Sequence, residues 1–89
     1  MKVKFKNSFI KDLKKLPEAV KQQIERLVYV DIPELDQFAD IRSIKKIEGY
    51  ENYYRIKKEN YRIGFERRDE LIVFHRVMHR KDIYRYFPK

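Results

Sequence analysis

Apolar and polar residues alternate strictly over residues 2–6. Val3 and Phe5 point one way, and Lys2, Lys4 and Lys6 the other. This period of two predicts a short half-buried strand with a basic outer face. The period then lengthens: Phe9, Ile10, Leu13 and Leu16 recur at helical spacing, with Lys11, Asp12, Lys14 and Lys15 on the wet side. Asn7 or Ser8 is placed to cap this helix. Pro17 ends it and suits the first turn of a second helix. There, Val20, Ile24, Leu27 and Val28 form an i, i+4, i+7, i+8 stripe. The β-branched run Val28-Tyr29-Val30 blurs that helix's end. Two amphipathic helices joined at a proline predict a hairpin packed on a sheet.

Residues 31–43 are acidic, contain a proline and lack a clean period. They read as a connector with one helical turn around residues 34–38. Ile41, Ile44 and Ile47 form a weak strand pattern, and Gly49 marks a turn. Three strands follow. Residues 53–58 alternate Tyr54 and Ile56 against Tyr53, Arg55 and Lys57, and residues 58–60 form a hairpin turn. In residues 61–66, Tyr61, Ile63 and Phe65 oppose Arg62, Gly64 and Glu66, with residues 67–70 as a second turn. Residues 71–78 are apolar on both faces, as in a central strand. Tyr84 and Phe87 are expected to pin the short tail. The order predicts an α+β fold: an N-terminal strand, a two-helix hairpin, then an antiparallel β meander, as a single domain over residues 1–89. Helices cover one sheet face. The other is left open and collects Lys2, Lys4, Lys6, Arg55, Lys57 and Arg62.

Charge sharpens this picture. The chain has 22 Lys and Arg against 14 Asp and Glu, a formal net charge of +8. Residues 45–89 hold 13 of those cations and 7 of the acids, so most of the excess lies in the C-terminal half. A concentrated positive field speeds association with nucleic acid or acidic partners. There is no cysteine, hence no disulfide, thiolate metal site or cysteine nucleophile. No apolar run approaches the roughly 18 residues of a membrane span, and residues 1–9 lack a signal-peptide core. A cytoplasmic protein of 89 residues is expected.

Gly49 and Gly64 are isolated, so no phosphate loop is present. His75 and His79 fall on a strand end beside Arg76 and Arg80, whose charge opposes a dication; no metal and no cofactor are expected. Tyr53, Tyr54, Tyr61 and Tyr84 interleave with the cations, as in surfaces that stack bases. For Tyr54 and Tyr61, strand packing is the favoured reading.

The segments FIKDLKKLP, YRIKK, NYRIGF and HRKDIYRYF, in that order, resemble the RelE/ParE toxin superfamily of type II toxin–antitoxin pairs. The resemblance covers nearly the whole chain and is strongest in its last third. In the RelE branch it implies a metal-independent endoribonuclease that cuts mRNA in the ribosomal A site. The substrate's own 2′-hydroxyl attacks the adjacent phosphate and leaves a 2′,3′-cyclic phosphate. Such a site needs cations for the transition state, a proton acceptor and a proton donor. The resemblance places these roles on Arg55, Lys57 and Arg62, on His79 or Arg80, and on Tyr84 as the stacking ring. Arg62 holds the scissile phosphate, and Lys57 is the candidate base. His79 is the better proton donor of the two and Arg80 the better charge stabiliser. On strand parity only one of them shares the face of Arg62. Lys2, Lys4, Lys6 and Lys81 are the expected further RNA contacts. The implied partners are a cognate antitoxin, the ribosome and mRNA. A ParE-like inhibitor of DNA gyrase without nuclease activity and a non-catalytic RNA-binding domain are the alternatives.

Overall fold

The computed structural model describes residues 1–88. Strand β1 (Lys2–Phe5) leads into helix α1 (Asn7–Lys14), and Pro17 precedes α2 (Glu18–Arg26). The chain then widens into a π-helical turn, Leu27–Asp31, and closes with the short α3, Ile32–Glu34. A 3-10 turn (Phe38–Asp40) precedes β2 (Ile44–Lys46), β3 (Tyr53–Lys58), β4 (Tyr61–Arg68) and β5 (Leu71–His79). A final single-turn helix, α4, spans Ile83–Tyr86. The predicted elements are present, and two boundaries differ. The helical turn expected over residues 34–38 is split around Leu35, and the second hairpin turn shrinks to residues 69–70 because Arg67 and Arg68 stay in the ladder. Helix α4 has too few residues to show a period and was not expected.

The five strands run in the order β1-β5-β4-β3-β2. Strand β1 pairs with β5 in parallel; all other pairs are antiparallel. Both edges carry lysines, which discourage pairing with another sheet. Phe9 and Leu13 of α1, then Val20, Ile24, Val28 and Ile32, pack on Ile56, Ile63, Phe65, Ile72, Phe74 and Val77. The predicted inward set is therefore correct, and Tyr54 and Tyr61 are packing residues against this core.

Strand β5 departs from plain alternation. Gly64 pairs with Arg76 and Phe65 with Phe74, so His75 is an extra residue in the ladder. This bulge returns both Phe74 and Val77 to the helix face and turns His75 to the opposite one. Plain alternation would put His75 on the face of Val77. Beyond the end of β1, helix α1 satisfies the exposed edge of β5. Ser8 Oγ donates to the His75 carbonyl (2.7 Å), and Asp12 Oδ2 accepts from the Val77 N–H (3.2 Å). Ser8 is therefore spent on the sheet and does not cap α1, whose N-cap, Lys6, makes no side-chain cap bond.

Among the described residues, no helix is long and apolar enough to cross a membrane.

Candidate functional site

The sheet face away from the helices has two parts. One is a block of cations. Lys57 pairs with Arg62 across β3 and β4, and Arg55 pairs with Lys45 across β3 and β2. Arg55 and Lys57 are two residues apart on one strand, so the four project from the same face in two adjacent rows. Directly opposed like charges destabilise a sheet. Two such pairs side by side form a surface that an anion would relieve. Lys45 was missed by the sequence reading. Its strand, Ile44–Lys46, is too short to show an alternation in the sequence.

Local contacts fix two of these side chains. Arg55 Nη1 donates to the Ser43 carbonyl at 3.3 Å, and that carbonyl also accepts the Lys57 N–H at 3.0 Å. Arg62 Nη1 donates to the carbonyls of Glu59 (2.9 Å) and Tyr61 (3.0 Å), which folds the guanidinium back over the hairpin turn. Lys57 is exposed. Beside them, Lys45, Lys46, Ile47, Glu48, Arg55 and Tyr84 line a shallow groove of about 300 Å³. Tyr84 is 56% exposed, so it does not pin the tail as expected; it is free to offer its ring to a ligand.

The second part is dry. Val73, Ile83 and Phe87 are buried but stand apart from the main core. The C-terminal tail thus crosses the face that was expected to be open. Phe87 lies between Tyr53 (ring centroids 5.5 Å) and His75 (5.4 Å). His75 Nε2 lies 3.1 Å from Glu66 Oε1, and Arg68 holds the other Glu66 oxygen at 3.0 Å. Burial pushes the His75 imidazole below its ordinary pKa, against the opposing pull of Glu66. The hydrogen bond from Arg68, aided by His75, holds Glu66 below the usual carboxylate range despite its partial burial. This His75 is a neutral, structural group.

Arg76 links the tail to α1. Its guanidinium makes a two-pronged contact with Asp12 (2.7 and 3.0 Å) and lies 5.0 Å from the centre of the Tyr86 ring. The Asp12 hydrogen bond raises the Arg76 pKa further. Arg76 is therefore a committed cation, unlike those of the block.

The two candidate donors separate as parity required. His79 pairs with Tyr61 on the helix face, its ring 5.5 Å from the tyrosine's, and its Nδ1 accepts the Lys81 N–H at 3.1 Å. It lies across the sheet from Arg62. The Arg80 N–H donates to the Asn60 carbonyl at 2.7 Å, so the ladder extends one residue further. Alternation then assigns Arg80 to the side of Met78 and Arg62. His75 and His79 fall on opposite faces of β5. Lys2 and Lys4 lie on the far edge of the cation-bearing face, separated from the block by the tail's dry patch. Lys6 follows them, and Lys81 lies in the exposed turn after β5.

A family model described as "ParE toxin of type II toxin-antitoxin system, parDE" matches residues 3–84. The chain is 47% identical to Toxin RelE3 of Methanocaldococcus jannaschii over 89 residues, 99% of this chain and 100% of that one. Its structure is similar to a chain of the RelB–RelE antitoxin–toxin complex from Methanococcus jannaschii, with 42% identity, a TM-score of 0.77, and coverage of 96% of this chain and 99% of that chain. The isolated Escherichia coli RelE toxin has the same fold at 21% identity, with a TM-score of 0.65 over 88% of this chain and 82% of that chain. The ordered motifs, the helix-covered sheet and these matches over the whole length agree: the chain belongs to the RelE/ParE superfamily of toxins from type II toxin–antitoxin systems.

Proposed function

We propose that this toxin cuts mRNA in the ribosomal A site by attack of the substrate's own 2′-hydroxyl on the adjacent phosphate. The two opposed cation pairs, Lys57 with Arg62 and Lys45 with Arg55, carry the reading. Their repulsion costs stability, and a phosphate chain offsets it. A phosphorane-like transition state is more negative than the ground state, so fixed cations stabilise it preferentially.

In the proposed reaction the 2′-hydroxyl loses its proton to a base as its oxygen bonds to phosphorus. The bond to the 5′-oxygen breaks and that oxygen takes a proton from water. The products are a 2′,3′-cyclic phosphate and a free 5′-hydroxyl. Arg55 and Arg62 hold the scissile phosphate; Arg62 exchanges its turn carbonyls for phosphate oxygens. Lys57, exposed beside both, is the base, and Tyr84 stacks on a nucleobase. Arg80 is the C-terminal cation of the site, because His79 lies on the helix face. Arg80 stabilises charge and is a poor proton donor. Lys2, Lys4, Lys6 and Lys81 give further RNA contacts. In the cell the toxin acts in the cytoplasm, where the ribosomes are. A cognate antitoxin holds it inactive, by analogy with the RelB–RelE complex from Methanococcus jannaschii; an acidic or amphipathic helix fits the basic face.

Purified protein added to an in vitro translation mix tests this. Cleaved message with 2′,3′-cyclic ends is expected, and Arg62→Ala should abolish cleavage with the fold intact. Intact message together with inhibited DNA supercoiling would overturn it in favour of a ParE-like, gyrase-binding toxin without nuclease activity.

A further inference from the structure

The tail's seat on the sheet depends on the absence of a side chain at one position. Gly64 lies inside β4, paired with Arg55 on one side and Arg76 on the other. Its backbone is not in the left-handed region, so glycine is not needed there for conformation. It is needed for space: a Cβ at residue 64 would lie 2.7 Å from Phe87 Cγ and Cε2, closer than carbon atoms approach. Phe87 is only 1% exposed and its ring fills that notch.

Helix α4 is a single turn and has no stability of its own. Its position is set by what its residues touch. Ile83 and Phe87, four apart, are both buried, and Tyr86 lies on Arg76, which Asp12 fixes. Tyr84 projects to the other side and lines the groove with Lys45 and Arg55. The notch at Gly64 and the ring in it therefore decide where Tyr84 stands.

We propose that Gly64 and Phe87 are positioning residues, which hold the Tyr84 ring over the Lys45–Arg55 groove so that it stacks on a nucleobase beside the scissile phosphate. This rests on the cleavage reading above for its consequence, but the docking itself does not. Gly64→Ala forces the ring out. The expected result is loss of contacts between the Tyr84 ring and the Lys45 and Arg55 side chains by nuclear magnetic resonance, with faster amide exchange over residues 83–87 and unchanged exchange in α1 and α2. On ribosome-bound message, kcat should fall about tenfold, the scale of one lost base stack, with KM nearly unchanged.

Two further variants separate positioning from general damage. Phe87→Leu in the Gly64→Ala background makes room for the new methyl group and should recover part of both readouts. In a Tyr84→Ala background, Gly64→Ala should cost nothing more, because both changes remove the same stack. Additive losses would overturn the proposal, as would Tyr84 contacts that survive Gly64→Ala, or a variant that cleaves faster because the tail had blocked the groove. If the wild-type protein cleaves no message, the cleavage reading fails while the resonance and exchange data still decide the docking. If Gly64→Ala does not fold, Phe87→Ala, which removes the ring without adding bulk, must give the same loss of Tyr84 contacts.

Discussion

The two faces of this sheet are built on opposite rules. On the helix face the buried strand residues are apolar and matched to a neighbour: Phe65 lies 5.5 Å from Tyr54 and 5.9 Å from Phe74, ring to ring. On the other face, cations are set against cations, and the single dry patch comes from the tail. The first arrangement lowers the energy of the isolated chain. If its cations repel, the second raises it, and the proposed phosphate ligand offsets that cost. The difference teaches where to look for function: in this fold, stability and binding occupy different sides of the same strands.

The largest test of that division compares Phe65→Ala with Arg55→Ala. Phe65 is fully buried, and its truncation should cost about 3–5 kcal/mol of unfolding free energy. Arg55→Ala, one strand away on the other face, should leave thermal stability within about 0.5 kcal/mol. It should slow cleavage by about 100-fold or more, the scale of a lost oxyanion donor. A destabilised Arg55→Ala protein would mean that the block is structural after all.

Asp12 joins the two faces. It is 6% exposed and satisfies both the Arg76 guanidinium and the Val77 N–H. Asp12→Ala leaves a cation and a buried donor unpaired, a loss of about 3 kcal/mol in denaturant unfolding. Asp12→Asn, which keeps one acceptor oxygen, should lose less. Equal losses would show that the Val77 bond contributes little.

Most of the helix face was legible in the sequence, because each inward residue falls on a period of two or 3.6. The cation block was three-quarters legible for the same reason: Arg55, Lys57 and Arg62 alternate with core residues. Three features were not. The bulge at His75 breaks parity, and LIVFHRVM gives no sign of it because both faces of β5 are apolar. Lys45 sat in a strand too short to show its alternation. The tail's return depends on Phe87 meeting Gly64, two residues far apart in sequence, and no local pattern records a contact of that kind. Parity did foresee that His79 and Arg80 divide between the faces. The ladder bond from Arg80 to Asn60 then decided which went where.

That division gives the next test. Arg80→Ala should reduce cleavage by about 100-fold. His79→Gln, which keeps a hydrogen-bonding side chain beside Tyr61, should stay within about threefold of wild type. The reverse ranking in single-turnover cleavage would return the donor role to His79.

The dry patch adds a pH dependence of its own. His75 faces Glu66 and Arg68 of β4, Lys6 after β1, Tyr53 of β3 and Phe87 of the tail. Burial depresses its folded-state pKa, so the unfolded chain binds the proton more readily. The stability from neutral His75 is therefore complete above about pH 6.5, the imidazole's usual value, and is lost as the pH falls through its lower folded value. Glu66, also depressed, acts in the same direction at lower pH. Unfolding measured between pH 7.5 and pH 5 should show a loss of stability that His75→Gln removes. A wild-type slope unchanged by His75→Gln would place the titrating group elsewhere.

The smallest effect bears most directly on why the second face exists. If Lys57 and Arg62 repel each other across the ladder, Lys57→Gln should stabilise the free protein, even though it removes a proposed catalytic group. The gain should be a few tenths of a kcal/mol at low ionic strength. It should vanish near 1 M salt, where the Debye length is about 3 Å. Denaturant unfolding at both salt concentrations isolates the electrostatic part, because a packing change would persist in salt. A stability gain paired with lost cleavage would show that this face gives up folding energy for its ligand. No gain at low salt would mean that the folded-back guanidinium of Arg62, held on the Glu59 and Tyr61 carbonyls, already escapes its neighbour.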